Sequence, residues 1–164
     1  MQQANQAVGR APFGRMYLIY AGIYLACIIG LVLTVALFNI DPPSSLGTIM
    51  PGISALVPGY VFVSKMRRRM TRGERAKFAI GASVIAVAAL ALLFSSAMVA
   101  GGVEMSLAGF AGVIGLHDGI SAGVLAAFII ITMAVSFVLV YFFVNMMGKH
   151  TLKALERHAS GTAQ

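Results

Sequence analysis

Four long apolar stretches constrain the fold of this chain more than any other feature of its sequence. They cover residues 16–38, 46–64, 78–100 and 122–147. A helix needs about 20 apolar residues to cross roughly 30 Å of hydrocarbon, and each stretch is close to that length or above it. Only helices and closed barrels satisfy their backbone polar groups in lipid, and these stretches lack the alternation of barrel strands. The sequence therefore predicts an all-α integral membrane bundle of four transmembrane helices.

Composition supports this class and separates the bundle from its tails. The chain is 59% hydrophobic and 10% charged, whereas an ordinary soluble domain has roughly 25% charged residues. Residues 1–15 are largely polar with glycine and proline, so we predict a disordered segment before a transmembrane domain at 16–147. Residues 148–164 are predicted to form a cytoplasmic tail, in which the sequence KHTLKALERH, residues 149–158, continues the fourth helix beyond the membrane. The first apolar run is longer than a cleavable signal core, so we expect it to be retained.

The positive charges of the chain lie on one side of the predicted bundle. All 12 Lys and Arg residues precede the first helix, join the second to the third, or follow the fourth. The opposite connections, 39–45 and 101–121, contain Asp41, Glu104 and Asp118 and no Lys or Arg. Positive residues in short loops stay in the cytoplasm. We therefore predict that both termini and the loop between the second and third helices are cytoplasmic.

Most of this charge lies in the sequence KMRRRMTRGERAK, residues 65–77, which we call the basic loop. Its basic side chains are Lys65, Arg67, Arg68, Arg69, Arg72, Arg75 and Lys77. They could orient the protein and bind anionic lipid headgroups, or they could form a docking surface for a protein. Nucleic acid is the third alternative, but the loop has no aromatic side chain for base stacking. We expect membrane lipids as partners and no nucleic acid.

The basic loop also contains a signal for the start of a helix. Thr71 and Glu74 are spaced as in a capping box, in which each side chain accepts a hydrogen bond from the other's backbone N–H. Glu74 would then lie in the first helical turn, where a negative charge suits the helix dipole. The pattern predicts that the third helix begins near Arg72, more than one turn before its apolar stretch.

Small residues recur every four positions along the first helix. They are Gly22, Ala26, Gly30 and Thr34. Such a face lets another helix approach closely, which is how helices associate in lipid. The face is expected to pack either within the bundle or against a second copy of the chain.

Two prolines interrupt the second apolar stretch. Pro51 and Pro58 each remove a backbone donor and crowd the preceding turn, so a kinked helix is expected. Broken helices also form binding sites in transporters, but these have a matching break in the other half of the protein. The third and fourth stretches show no such break, and a structural kink is the favoured interpretation.

Catalytic and cofactor-binding signals are absent from the sequence. No charged residue lies in the middle of an apolar stretch, where such residues mark proton and ion pathways. The three histidines lie in a loop and the C-terminal tail, and Cys27 is the one cysteine. We therefore predict no catalytic residue, no cofactor and no metal. The Gly-rich segment 101–121 is expected to be either a re-entrant or interfacial helix or a plain connection.

One stretch resembles a known family. Residues 58–78 combine Gly59-Tyr60-x-Phe62, a basic cluster and Thr71-x-x-Glu74-Arg75. This arrangement resembles an uncharacterised family of small bacterial inner-membrane proteins with four predicted helices. The resemblance implies that layout and a bacterial inner (cytoplasmic) membrane, and it transfers no activity or catalytic residue. The run 67–69 and the segment 101–121 are not matched to the family pattern.

These observations together favour contacts over chemistry. We expect a membrane protein that is not an enzyme and acts as an accessory or assembly subunit of a larger complex. Its partners would be other membrane subunits or a second copy of itself. The alternative is a small dimeric carrier for a lipid or apolar solute, in which the proline-broken second helix moves.

Overall fold

The computed structural model describes residues 13–39, 44–102, 106, 109 and 121–161. These residues form no strand. Their helices are α1 (Phe13–Phe38), α2 (Ser44–Ser54), α3 (Leu56–Met66), α4 (Arg72–Ala100) and α5 (Ala122–Gly161). If α2 and α3 are counted as one segment, the described residues contain four helical segments, and each is long and apolar enough to cross a membrane. The prediction of an all-α chain with four such helices is confirmed.

The helices extend beyond the predicted apolar stretches. α1 begins at Phe13, three residues before its apolar stretch and inside the segment predicted to be disordered, and residues 1–12 lie outside the described part. α4 begins at Arg72, and α5 continues through the predicted tail to Gly161. Polar residues extend a helix freely once it is outside the hydrocarbon, because hydropathy limits only the stretch that lipid surrounds.

The second span is divided at Ala55. Pro58 has no N–H to donate to the carbonyl of Ser54, and its ring crowds that turn. α2 therefore ends at Ser54, and α3 begins after Ala55. The interruption is small, because Ala55 keeps near-helical angles of φ −80° and ψ −12°. Its carbonyl accepts a hydrogen bond from the Gly59 N–H at 3.1 Å. Pro51 lies inside α2 and does not end it.

The helices form a four-sided arrangement. α1 packs against α4 and against the α2–α3 segment, and α5 packs against the same two neighbours. α3 and α4 follow each other in sequence, yet neither is a main packing partner of the other. The short connection between them, the middle of the basic loop, therefore crosses one end of the bundle.

The core lies in the half of the bundle near the basic loop. Tyr20 and Tyr24 of α1 are buried and stacked, with ring centroids 5.8 Å apart. Phe62 of α3 and Phe78 of α4 are fully buried in the same cluster. In the other half, apolar side chains such as Phe38 point outward. An exposed apolar surface of this extent suits a lipid surrounding.

Candidate functional site at the basic loop

The middle of the basic loop is folded back onto the end of the bundle. α3 ends at Arg67, which has left-handed backbone angles of φ 50° and ψ 26° and donates its N–H to the Val63 carbonyl at 2.9 Å. Met70 then turns inward and is buried in the core cluster. Since Thr71 already begins the cap of α4, the connection between the two helices is short and closely held.

Both hydrogen bonds of the predicted capping box are present. The Glu74 N–H donates to Thr71 Oγ1 at 3.2 Å, and the Thr71 N–H donates to Glu74 Oε2 at 2.8 Å. This reciprocal pair satisfies two donors that would otherwise lack a helical partner. α4 accordingly begins at Arg72.

Glu74 also binds one arginine of the loop with both carboxylate oxygens. The Arg68 guanidinium donates to Glu74 Oε1 and Oε2, each at 2.7 Å. Its Cζ atom lies 5.2 Å from the centroid of the Phe62 ring. The hydrogen bonds with Glu74 are the main cause that raises the pKa of Arg68. This ion pair was not predicted from the sequence, although Glu74 is the one acidic residue of the basic loop.

Arg75 is held on the other side of the loop. Its Cζ atom lies 4.9 Å from the centroid of the Tyr141 ring of α5, a cation–π distance. Arg68 is therefore bound within the chain through hydrogen bonds, whereas Arg75 is held there through a ring contact. The remaining basic side chains of the loop are all exposed: Lys65, Arg67, Arg69, Arg72 and Lys77. They form the surface that the loop offers to lipid headgroups or to another protein.

The predicted small-residue face of α1 points away from the bundle. A Cβ atom added at Gly22 or Gly30 would meet nothing within 4 Å, and Ala26 and Thr34 are exposed. This face therefore does not pack against another helix of the bundle. The reason is geometric. The buried residues Met16, Tyr20, Tyr24 and Ile28 are displaced by two positions, about 200° around the helix.

The glycines that do form close helix contacts follow the two prolines. A Cβ at Gly52 would lie 2.8 Å from Phe143 Cδ2, and one at Gly59 would lie 3.6 Å from Val144 Cα. Both glycines therefore bring the second span close to α5. The signal in the sequence was their spacing of seven, which places them on nearly one helix face.

A further close contact joins α1 to the start of α4. Gly81 leaves room for the Tyr17 ring, since an added Cβ would lie 2.6 Å from its Cε1 atom. The Tyr17 hydroxyl donates to the Lys77 carbonyl at 2.9 Å. The beginning of α1 therefore lies beside the basic loop.

Other predicted features concern residues that are mostly outside the described part. Of segment 101–121, only the first two residues, Ser106, Gly109 and Ser121 are described. The Gly109 N–H donates to Ser106 Oγ at 3.0 Å. Within the described ranges, no three His, Cys, Asp or Glu side chains lie close enough together to hold a metal ion.

No protein family, no curated protein and no solved structure matches the chain. Four apolar helices are the mark of a multi-pass membrane protein.

Proposed function

We propose that this protein is a non-enzymatic membrane subunit with an accessory or assembly role in a larger complex. The observation that carries the proposal is the outward position of the small-residue face of α1, with open space over Gly22 and Gly30. Glycine in a helix costs about 1 kcal/mol relative to alanine. Close approach of a second helix in lipid would offset this cost through van der Waals packing.

A second apolar surface supports the same proposal. Along α5, large side chains such as Phe128, Ile130 and Val138 are more than half exposed. They could face lipid, a partner helix, or both. The face on α1 and this one lie on helices that are not neighbours in the bundle, so the protein could contact two other helices at once.

The first test is a matched pair of substitutions on α1. Gly30→Leu fills the open space over the small-residue face, whereas Ile29→Leu changes an exposed residue about 100° away around the helix. We expect Gly30→Leu to abolish co-purification of partner chains in mild detergent and Ile29→Leu to preserve it. Both isolated chains should melt like the wild type. If partner chains co-purify equally with both variants, the small-residue face of α1 is not a contact site.

A dimeric carrier for a lipid or an apolar solute is the second candidate. The division of the second span at Ala55 favours it, because a break between two helices can act as a hinge. The same purification separates the two functions. Other chains present in stoichiometric amounts favour an accessory subunit, whereas a lone dimer with bound lipid favours a carrier.

We further infer an orientation with both termini in the cytoplasm of a bacterium, in its inner membrane. The uneven distribution of all 12 basic residues supports it. Two contacts near the helix ends agree: Tyr17 bonds to Lys77, and Gly148 lies against Val63. The start of α1, the basic loop and the last part of α5 therefore share one end of the bundle.

Reporter fusions check this orientation. Fusions at Arg69 and Thr162 should report the cytoplasm, and a fusion at Glu104 should report the periplasm, because positive loops are retained inside. A periplasmic signal at Arg69 would reverse the proposed layout.

A further inference from the structure

A small cleft opens at the basic end of the bundle between α3, α4 and α5. It is lined by Gly59, Val63, Arg69, Met70, Arg75, Val144, Asn145 and Gly148. With its mouth the cleft measures about 220 Å³, but its inner part has room for about one water molecule. A ligand must therefore be compact, at least in the portion that enters.

The charged side chains that line the cleft are both basic. Arg69 and Arg75 bring two positive charges to it, and no carboxylate lines it. The nearby Glu74 is already engaged by Arg68 and Thr71. Arg75 Nε is buried and has no hydrogen-bond partner among the described residues. A buried donor in this state is destabilising until an acceptor reaches it.

The position of the cleft narrows the choice of acceptor. Lys65 and Lys149 lie within two residues of its lining and are both exposed, as expected where apolar stretches end at lipid headgroups. Two guanidinium groups suit the geometry of phosphate oxygens. Gly59 and Gly148 line the cleft without a side chain and let α3 and α5 lie close together there. A single water molecule would supply acceptors but no negative charge.

We propose that the mouth of this cleft binds a phosphate group, one oxygen of which enters the inner part, and that Arg69, Arg75 and the side-chain amide of Asn145 hold it. The phosphate belongs either to an anionic lipid headgroup or to a small phosphate from solution. The proposal goes beyond the accessory role and does not depend on it, because the cleft is formed within one chain.

Asn145→Leu tests the cleft without changing any charge. Inorganic phosphate should raise the melting temperature of the isolated wild-type protein in neutral detergent, compared with chloride at equal ionic strength. A hydrogen bond to a charged group contributes about 1.5–3 kcal/mol, so Asn145→Leu should weaken phosphate binding about tenfold or more. In a second experiment, the melting temperature of the protein is compared between nanodiscs that contain phosphatidic acid and nanodiscs of zwitterionic lipid alone.

Two single substitutions, each of which removes one positive charge from the basic loop, form a matched pair. Arg69→Gln and Arg72→Gln each replace an exposed arginine, but only Arg69 lines the cleft. Arg69→Gln should weaken binding about tenfold. Arg72→Gln should weaken it much less, because Arg72 does not line the cleft and its charge acts only through screening solvent. Arg69→Gln also provides a test if Asn145→Leu fails to fold.

The outcomes separate the sources of phosphate. Stabilisation by inorganic phosphate supports a site open to solution, and binding of phosphatidic acid alone supports a headgroup site. If neither inorganic phosphate nor phosphatidic acid has an effect, the proposal is overturned. Equal losses for Arg69→Gln and Arg72→Gln, with no loss for Asn145→Leu, would also overturn it and leave a diffuse basic surface. None of these results bears on partner chains, so the accessory role is tested separately.

Discussion

Replacing Gly59 with leucine is expected to destabilise the bundle by about 3 kcal/mol or to prevent its folding. Gly59 is where α3 lies close to the backbone of α5, since an added Cβ would be 3.6 Å from both Val144 Cα and Met147 Cβ. A Cβ alone is in ordinary contact there. The three further carbons of leucine would have to displace α5, because neither backbone nor Cβ atoms can rotate away. Equilibrium unfolding in mixed detergents, followed by circular dichroism, measures the loss.

Two controls make this result specific. Gly59→Ala should be tolerated, because the added methyl group makes an ordinary contact and alanine favours helix by about 1 kcal/mol. Gly30→Leu makes the same change on the outward face of α1, where an added Cβ meets nothing within 4 Å. It should leave the isolated chain as stable as the wild type. If Gly59→Leu were equally harmless, α3 and α5 would not pack as described.

The spans of this fold could be predicted from sequence because lipid imposes a simple requirement. Each span must be apolar over about 20 residues, and no other part of the chain meets that condition. Two helix ends were also predicted from local sequence. The capping box located the start of α4 at Arg72, and the polar sequence 149–158 was expected to continue the fourth helix, as it does in α5. The start of α1 at Phe13 was not predicted, since it lies inside the segment expected to be disordered.

Which small-residue face packs inside the bundle could not be read from spacing. The small-residue face of α1 repeats every four residues, and Gly52 and Gly59 are seven residues apart. Both spacings place small residues on one helix face, but only Gly52 and Gly59 are buried. On α1 the opposite face carries Tyr20 and Tyr24, and large stacked rings bury more apolar area than small residues do. The larger side chains therefore take the inner position, and the small ones remain outside.

In the basic loop, local features were predictable and longer-range ones were not. The capping box depends on residues three apart, so its pattern is visible in the sequence. The partner of Glu74 depends on how the chain turns at Arg67, since Arg68 reaches it from six positions away. Neighbouring arginines therefore have different roles. A triple substitution of residues 67–69 would remove surface charge and an internal ion pair together.

Glu74→Ala is expected to destabilise the protein by about 2 kcal/mol, the second largest effect that we predict. Loss of a capping interaction costs about 1 kcal/mol, and a partly exposed, bidentate ion pair adds up to about 1 kcal/mol. The relevant side chains of Arg68 and Glu74 are 34% and 20% exposed. Glu74→Gln should lose only the ionic part, because glutamine also completes a capping box. The same detergent unfolding assay measures both variants.

A double-mutant cycle then distinguishes a specific pair from the general charge of the loop. Arg68→Gln combined with Glu74→Gln should give a coupling energy of up to about 1 kcal/mol. Arg72→Gln combined with Glu74→Gln should give almost none, since Arg72 is exposed and makes no ion pair with Glu74 in the described structure. Equal coupling in both cycles would mean that Glu74 responds only to the summed charge. A specific coupling would mean that Arg68 and Glu74 fix the turn before α4, and with it the position of Arg69 at the mouth of the cleft.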